Sequence, residues 1–410
     1  MADLIVFSSL FPSAARPGAG LFIRERMFRV ARHRSLVVVS PQPWFPGQAL
    51  VRLFRPGYRP MAPYREMQQG VAVYHPRFLA IPGLLRRLDG ASMALFSYPL
   101  LRRLKADGAR LIDAHFAYPD GEAASRLGRW LRLPVTITLR GTEVPHSRDP
   151  ALRVRMMQAL KSAARVFAVS DSLRRLALQL GVAPDRSEVV GNGVDVELFQ
   201  PVDRAEARRR LGLPDDAKVL ISVGGLVERK GMHRVVDCLP GLLATHPTLH
   251  YLIVGSGGPE GDMRPELEAQ VGRLGLGGRV HFLGALPPAE LKWPLSAADV
   301  FALATRNEGW ANVFLEAMAC GLPVVATDVG GNAEVVCRPE LGSIVPFGDA
   351  AALERALAAA LDRQWDRAAI RAYACDNQWD RRVAQLLRAF DAVLVSGDRP
   401  QARMTANGHS

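Results

Sequence analysis

Two carboxylates, Glu308 and Glu316, stand either side of a helix start in the stretch Thr305 to Ala326. The pattern predicts a strand ending near Ala304, a loop holding Glu308, and a helix from about Ala311 that carries Glu316 on its second turn. Gly321 and Pro323 end that helix beyond Cys320, before the next buried strand. An ionised carboxylate accepts paired hydrogen bonds from adjacent hydroxyls, so one glutamate can hold a sugar ring and the other a ribose. Backbone N–H groups at the helix start, favoured by the helix dipole, suit a phosphate.

Upstream, Val223 to Gly231 reads as a strand running into a glycine turn at Gly224 and Gly225, followed by Arg229 and Lys230. Two cations beside backbone donors can neutralise a diphosphate and stabilise it as a leaving group. The GxxxxGK[ST] spacing of a P-loop is absent. Taken singly, a solvated Arg–Lys pair or a solvated helix glutamate is the bland alternative; their joint setting favours the chemical reading. Val254–Gly255–Ser256–Gly257 invites a dinucleotide reading, but Glu260 occupies the third glycine position, which argues against nicotinamide.

These groups need a scaffold of strands alternating with helices. Short β-rich apolar runs recur at Leu4–Phe7, Leu36–Val39, Leu111–Ile112, Val135–Leu139, Val166–Val169 and Glu188–Val190. After a charged, helix-like connector at Asp203–Asp216 they restart at Val219–Val223, Leu249–Val254, Val280–Leu283, Val300–Ala304, Pro323–Ala326 and Ser343–Val345. The expectation is an α/β chain of two tandem parallel-sheet domains. Residues 350–395 read as closing helices, and the last dozen residues as a disordered tail.

A chain of 410 residues has the length of two domains, and its composition is that of a soluble globular protein. Charge is uneven: 29 Lys+Arg face 15 Asp+Glu in residues 1–200, against 23 and 25 in 201–410. The basic first half points to an anionic partner such as a phospholipid surface or a lipid diphosphate. Nucleic acid is disfavoured because no aromatic-plus-basic recognition motif accompanies the charge. Cys238, Cys320, Cys337 and Cys375 form no CxxC pair, so neither a zinc site nor a disulfide framework is expected, and a reducing cytoplasm fits. Asp3 stands where a signal peptide needs positive charge, and no apolar run is long enough to span a bilayer, which predicts at most peripheral contact at the inner membrane face. Leu84–Lys105, in which leucine patches alternate with arginine pairs, reads either as a surface helix pair with its apolar face inward or as a membrane-interface segment.

With these residues on the page, the chain resembles the retaining glycosyltransferases of the family-4 type through their Glu-x7-Glu signature. Collinear matches are Asn192–Gly193–Val194–Asp195, Gly225 to Gly231, Val254 to Gly257, Val280 to Gly284, Ala298 to Phe301, the Glu308–Glu316 block, and Gly330–Gly331 with Glu334. The resemblance implies the GT-B fold, two Rossmann-like domains facing each other across a cleft. It assigns acceptor binding to residues 1–200, nucleotide-sugar binding to 201–375, a helix returning to the first domain at 376–396, and a tail at 397–410. By the same resemblance Arg229 and Lys230 bind the donor diphosphate, Glu308 the sugar hydroxyls and Glu316 the ribose. Gly225, Gly309, Asn312 and Val313 add donor contacts, and the base lies along the turn after Gly284.

In the first half, Gly18 and Gly20 sit where the family has a glycine-rich loop near donor phosphate and acceptor. His115 ends a strand and is expected to be an acceptor-side polar group, the alternative being a packed strand-end histidine. Arg140 stands where the family commonly has His, and suits a diphosphate or lipid-phosphate acceptor. Trp310 and Ala311 replace the more usual Phe and Gly. The resemblance implies transfer of a sugar from a UDP- or GDP-linked donor to a glycan or lipid-linked acceptor in polysaccharide or glycolipid assembly, with retention and no obligatory metal. A nucleotide-sugar 2-epimerase of the same architecture is the alternative.

Overall fold

The structure, a computed structural model, describes residues 2–55, 57–81, 86–258 and 260–397. The chain divides into two compact units. The first holds the chain up to Val169, Leu173–Val190 and the chain from Val383; the second holds Ser170–Ser172 and Gly191–Arg382.

The first unit contains β1 (Leu4–Phe7), β2 (Leu36–Val39), β3 (Gln42–Trp44), β4 (Arg65–Gln68), β5 (Val71–Tyr74), β6 (Arg77–Leu79), β7 (Leu111–His115), β8 (Val135–Leu139), β9 (Arg165–Ala168) and β10 (Ser187–Val189). Eight of these form one sheet in the order β10-β9-β8-β7-β1-β2-β5-β4. Strands β1, β2, β7 and β8 are wholly buried, as near-continuous apolar runs covered on both faces must be. The core packs Leu4, Val6 and Val38 with Ile23 and Met27 of the helix Leu21–Val30, and with Leu386 and Phe390 of the last helix, Trp379–Gly397.

The sequence pattern predicts a parallel sheet, and this one is mixed. Strand β4 pairs antiparallel with β5, joined by Gln69 and Gly70, both at positive φ (49° and 83°). Two such residues in succession are the signature of a two-residue hairpin turn. The pair β3–β6 forms a separate two-stranded ribbon. Of Leu84–Lys105, Leu84 and Leu85 lie outside the described residues, Arg86–Leu88 forms a single short helical turn, and Asp89–Ala106 is one continuous helix despite Pro99. Its Met93, Ala94, Ser97, Leu100, Leu101 and Leu104 are buried, so most of its apolar face is core. The expected tail from 398 onward lies outside the described residues.

The second unit contains β11 (Lys218–Val223), β12 (Leu249–Val254), β13 (Val280–Gly284), β14 (Val300–Leu303), β15 (Val324–Thr327) and β16 (Gly342–Val345), in the order β13-β12-β11-β14-β15-β16. All pairs are parallel. The connector of the sequence reading contains the helix Arg204–Arg210, which is built into this unit. Its Arg208, 4% exposed, donates to the carbonyls of Ala297 and Ala217 and to Asp299.

Candidate functional site

In the second unit, strands β11 to β13 are laid down in one direction across the sheet and β14 to β16 in the other. The order therefore reverses between β11 and β14, the place in an open α/β sheet beyond whose strand carboxyl ends ligands are usually bound. The loop after β11 carries Arg229 and Lys230; the loop after β14 carries Glu308.

The two loops are stitched together by backbone as well as by charge. Arg306 N and Thr305 Oγ1 both donate to the carbonyl of Arg229, at 2.7 and 3.0 Å. Gly231, at φ 75°, makes this approach possible, because a Cβ there would lie 2.0 Å from the carbonyl oxygen of Ala304. Gly330 plays the same part on the other side, where a Cβ would lie 1.6 Å from the carbonyl oxygen of Glu308. Across this joint Lys230 Nζ meets Glu308 Oε2 at 2.7 Å. Arg229 lies 3.8 Å from the same oxygen and makes a closer pair with Glu260 at 2.7 Å, which holds the Glu260 carboxyl below its ordinary range. An ammonium has three donors, so Lys230 can keep Glu308 and still serve phosphate oxygens.

The helix expected after Glu308 runs over Asn312–Ala319, and its N-cap residue, Ala311, makes no side-chain cap. The first backbone N–H groups of a helix have no intrahelical acceptor and suit an anion. Asn312 is held by Asn192 Nδ2 at 2.8 Å, which explains why the distant Asn192–Gly193 motif belongs with this site. Glu316, one turn on, is half-buried, as are Gly309, Val313 and Gly284; Gly225 is exposed. Trp310 lies against Gly191 and Gly331, where a Cβ would come within 3.1 and 3.5 Å of its ring. Its indole Nε1–H is buried without a hydrogen-bond partner among the described residues. The structure thus gathers Arg229, Lys230 and Glu308 at one joint, and ties Asn312 and Trp310 to the segment around Gly191–Asn192.

The first unit has its own reversal, between β1 and β7. His115 ends β7 and Arg140 follows β8; both side chains are deeply buried, His115 at 0% and Arg140 at 9% exposure. Arg140 Nε lies 3.1 Å from His115 Nδ1. A guanidinium can only donate, so Nδ1 is the acceptor and the ring proton sits on Nε2, 3.5 Å from Asp113 Oδ2. Burial drives the His115 pKa well below its ordinary value and raises Asp113 to about 6. The ring is enclosed, with Nδ1 committed to Arg140.

Two carboxylates that the sequence reading left without a role organise this corner. Glu143, 1% exposed, accepts from the backbone N–H groups of Ala117 (3.0 Å), Arg140 (3.1 Å) and Gly141 (2.7 Å). The turn that brings Ala117 to it passes through Phe116 at φ 73°, a strained conformation for a bulky residue. Asp120, 1% exposed, accepts from Ser9 N and from Ser9 Oγ (3.0 Å), linking the loops after β1 and β7, and burial raises its pKa to about 7. Glu143 could have been suspected from its place in the Arg140–Glu143 motif; nothing in the sequence singles out Asp120. Of the two candidate glycines, Gly20 is buried at φ 67° under the Leu10 carbonyl, where a Cβ would lie 2.4 Å away, whereas Gly18 is exposed in open space.

Among the described residues no group of three or more His, Cys, Asp and Glu side chains is placed to hold a metal ion, and no helix is long and apolar enough to cross a membrane.

Comparison with known proteins bears on this geometry. The family model described as "Glycosyltransferase Family 4" matches residues 15–198, and that described as "Glycosyl transferases group 1" matches residues 203–376. TuaC of Bacillus subtilis strain 168, assigned to teichuronic acid biosynthesis as a glycosyltransferase, is 31% identical over 342 residues, spanning 80% of this chain and 81% of its own. Among solved structures, sucrose-phosphate synthase of Thermosynechococcus elongatus superposes with a TM-score of 0.77 at 22% identity, covering 96% of this chain and 99% of that one. HepE of Anabaena, in complex with UDP, gives 0.72 at 21%, covering 96% and 100%. These likenesses are to the GT-B architecture.

Proposed function

The chain belongs to the family-4 glycosyltransferases, and from that premise we propose that it moves a glycosyl group from a nucleotide-diphosphate sugar to a glycan or lipid-linked acceptor with retention of configuration. The observation that carries this reading is the Lys230–Glu308 pair at the switch between β11 and β14. The pair sets a cation suited to a diphosphate beside a carboxylate suited to sugar hydroxyls, which supports this reading. Arg229, Lys230 and the N-terminus of the helix Asn312–Ala319 would stabilise the departing diphosphate. Glu308 would hold the sugar and Glu316 the ribose.

In the proposed step the bond from the anomeric carbon to the diphosphate oxygen breaks, and that oxygen keeps the electron pair. The acceptor oxygen bonds to the same face of the anomeric carbon, and its proton passes to the departing phosphate. The glycine loop after β1, with Gly18 and Gly20, and the Arg140 corner supply the acceptor side, with His115 acting through Arg140. UDP is the first nucleotide to test because the HepE neighbour holds it, with GDP next. The basic excess of residues 1–200 favours work at the cytoplasmic face of an anionic membrane, on an acceptor that is itself membrane-borne.

The test is release of nucleoside diphosphate from a panel of UDP- and GDP-sugars by the full chain, with the anomeric configuration of any product read by NMR. Release above that of Glu308→Gln, with the donor configuration kept in the product, supports the reading. No release from any donor, or an inverted product, counts against it.

A further inference from the structure

The helix Gln48–Phe54 is packed inside out. Residues three and four apart share a helix face, and here Leu50, Leu53 and Phe54 form an apolar stripe that faces solvent, at 65, 75 and 87% exposure. The polar residues turn inward. Gln48 is 2% exposed, and Arg52 donates through Nε to the Tyr58 carbonyl at 3.1 Å and through Nη2 to the Arg59 carbonyl. Arg59 in turn donates to the carbonyl of Ala80 at 3.1 Å, and Ala80 is flanked by two further exposed apolar side chains, Leu79 and Ile81, at 38 and 39%. An ordinary surface helix does the reverse, burying its apolar stripe. Single exposed leucines need no explanation, but a helix held down by its polar side so that its apolar side meets water does.

The charge around this stripe has one sign. Residues 48–67 contain Arg52, Arg55, Arg59 and Arg65 against the single carboxylate Glu66. Glu66 is committed inward, to His75 Nε2 at 3.1 Å, Gln68 Nε2 at 2.7 Å and Ala14 N at 3.2 Å. Arg55, which follows Phe54 directly, is exposed, as is Arg65. Protruding leucines and a phenylalanine within an arginine-rich rim match an anionic phospholipid surface, whose acyl boundary takes the apolar side chains and whose phosphates take the guanidinium groups.

We propose that the Leu50–Leu53–Phe54 face is the element by which this enzyme docks on an anionic membrane; the proposal rests on the membrane reading given above and names its contact. Docking by this face carries lipid-borne acceptors to the first unit.

The experiment is co-sedimentation of the full chain with vesicles of phosphatidylcholine containing about one third phosphatidylglycerol, and with phosphatidylcholine alone, comparing wild type with Leu53→Glu/Phe54→Glu and with Val154→Glu. Val154 is also exposed, at 53%, and lies on another helix, Pro150–Ser162. The expected result is binding of wild type and Val154→Glu to the anionic vesicles, weaker at high salt, with partition of the double variant reduced by about tenfold or more. UDP titration and thermal melting of the double variant should match wild type, showing that the fold is kept. Equal binding by all three proteins would overturn the assignment of this helix while leaving membrane association standing. Failure of wild type to bind either vesicle would overturn both. A wild-type dimer in solution that the double variant converts to monomer would give the face to a second copy of the chain and overturn the lipid proposal.

Discussion

Lys230 Nζ and Glu308 Oε2 lie 2.7 Å apart although 78 positions separate them in sequence. The parallel pairing of β11 with β14 brings their loops together, and two further hydrogen bonds to the Arg229 carbonyl fix the spacing. In the proposed function the pair divides the donor between a group for charge and a group for hydroxyls.

Glu308→Gln should therefore separate binding from transfer. The amide keeps the shape but loses the charge-assisted bonds to sugar hydroxyls, so transfer should fall roughly a hundredfold or more. Affinity for the bare nucleoside diphosphate should stay within about threefold of wild type. Steady-state kinetics beside a calorimetric titration of UDP read both quantities; parallel losses in the two would place Glu308 on the diphosphate instead.

The glycines make a contrast within one chain. Gly231→Ala puts a methyl 2.0 Å from the Ala304 carbonyl oxygen at φ 75°, which should cost about 2 kcal/mol or more and loosen the loop that carries Lys230. Gly18→Ala meets nothing within 4 Å and should change stability by less than about 0.5 kcal/mol. Thermal melting and UDP affinity distinguish them. An effect of Gly18→Ala on transfer alone would mark close approach of its backbone to a substrate.

Arg140 and His115 should act as a unit. Arg140→Lys cannot reproduce the planar Nε donor that fixes the imidazole tautomer, so it should lower kcat about tenfold and leave UDP affinity unchanged, because Arg229, Lys230 and Glu316, the groups proposed for diphosphate and ribose, belong to the second unit. His115→Ala should do the same, and the double variant should be no worse than either single one. Losses that simply add would mean the two side chains serve separate purposes.

Asp120 gives the stability a pH dependence of known sign. An unfolded aspartate ionises near 3.8, whereas burial keeps Asp120 protonated up to about 7. Between those values only the native state holds the proton, so stability falls as pH rises, by up to about 1.4 kcal/mol per unit. Asp113, raised to about 6, adds the same sign, while the depressed His115 acts oppositely, costing stability as pH falls below its ordinary value near 6.5. Wild type should thus lose more melting temperature than Asp120→Asn between pH 5 and 7. An equal loss in both proteins would show that Asp120 does not titrate there.

What could be read from sequence follows from how local the signal is. Strands such as Val135–Leu139 and Leu249–Val254 have the bounds expected of them because both faces are buried and the apolar run is continuous. Strands β3, β4, β5 and β6 escaped notice because they are short, half-exposed or polar, and take their shape from pairing partners. The Glu308 and Arg229–Lys230 motifs were legible, and the resemblance joined them on one donor, but the direct contact of Lys230 with Glu308 depends on strand order, which periodicity does not encode. Asp120 was invisible because its role is set by Ser9, 111 positions away. The stripe of Leu50, Leu53 and Phe54 has an ordinary amphipathic spacing, and nothing short of the structure reveals that it faces outward.

The most direct test of the central claim is a titration of UDP, GDP and ADP into the purified full chain, repeated with Lys230→Ala and Glu316→Ala. The account predicts that one nucleotide binds and that each variant weakens it by roughly ten- to a hundredfold, with the fold intact by thermal melting. Binding that is unchanged in both variants, or no binding of any of the three to the folded wild type, would contradict it.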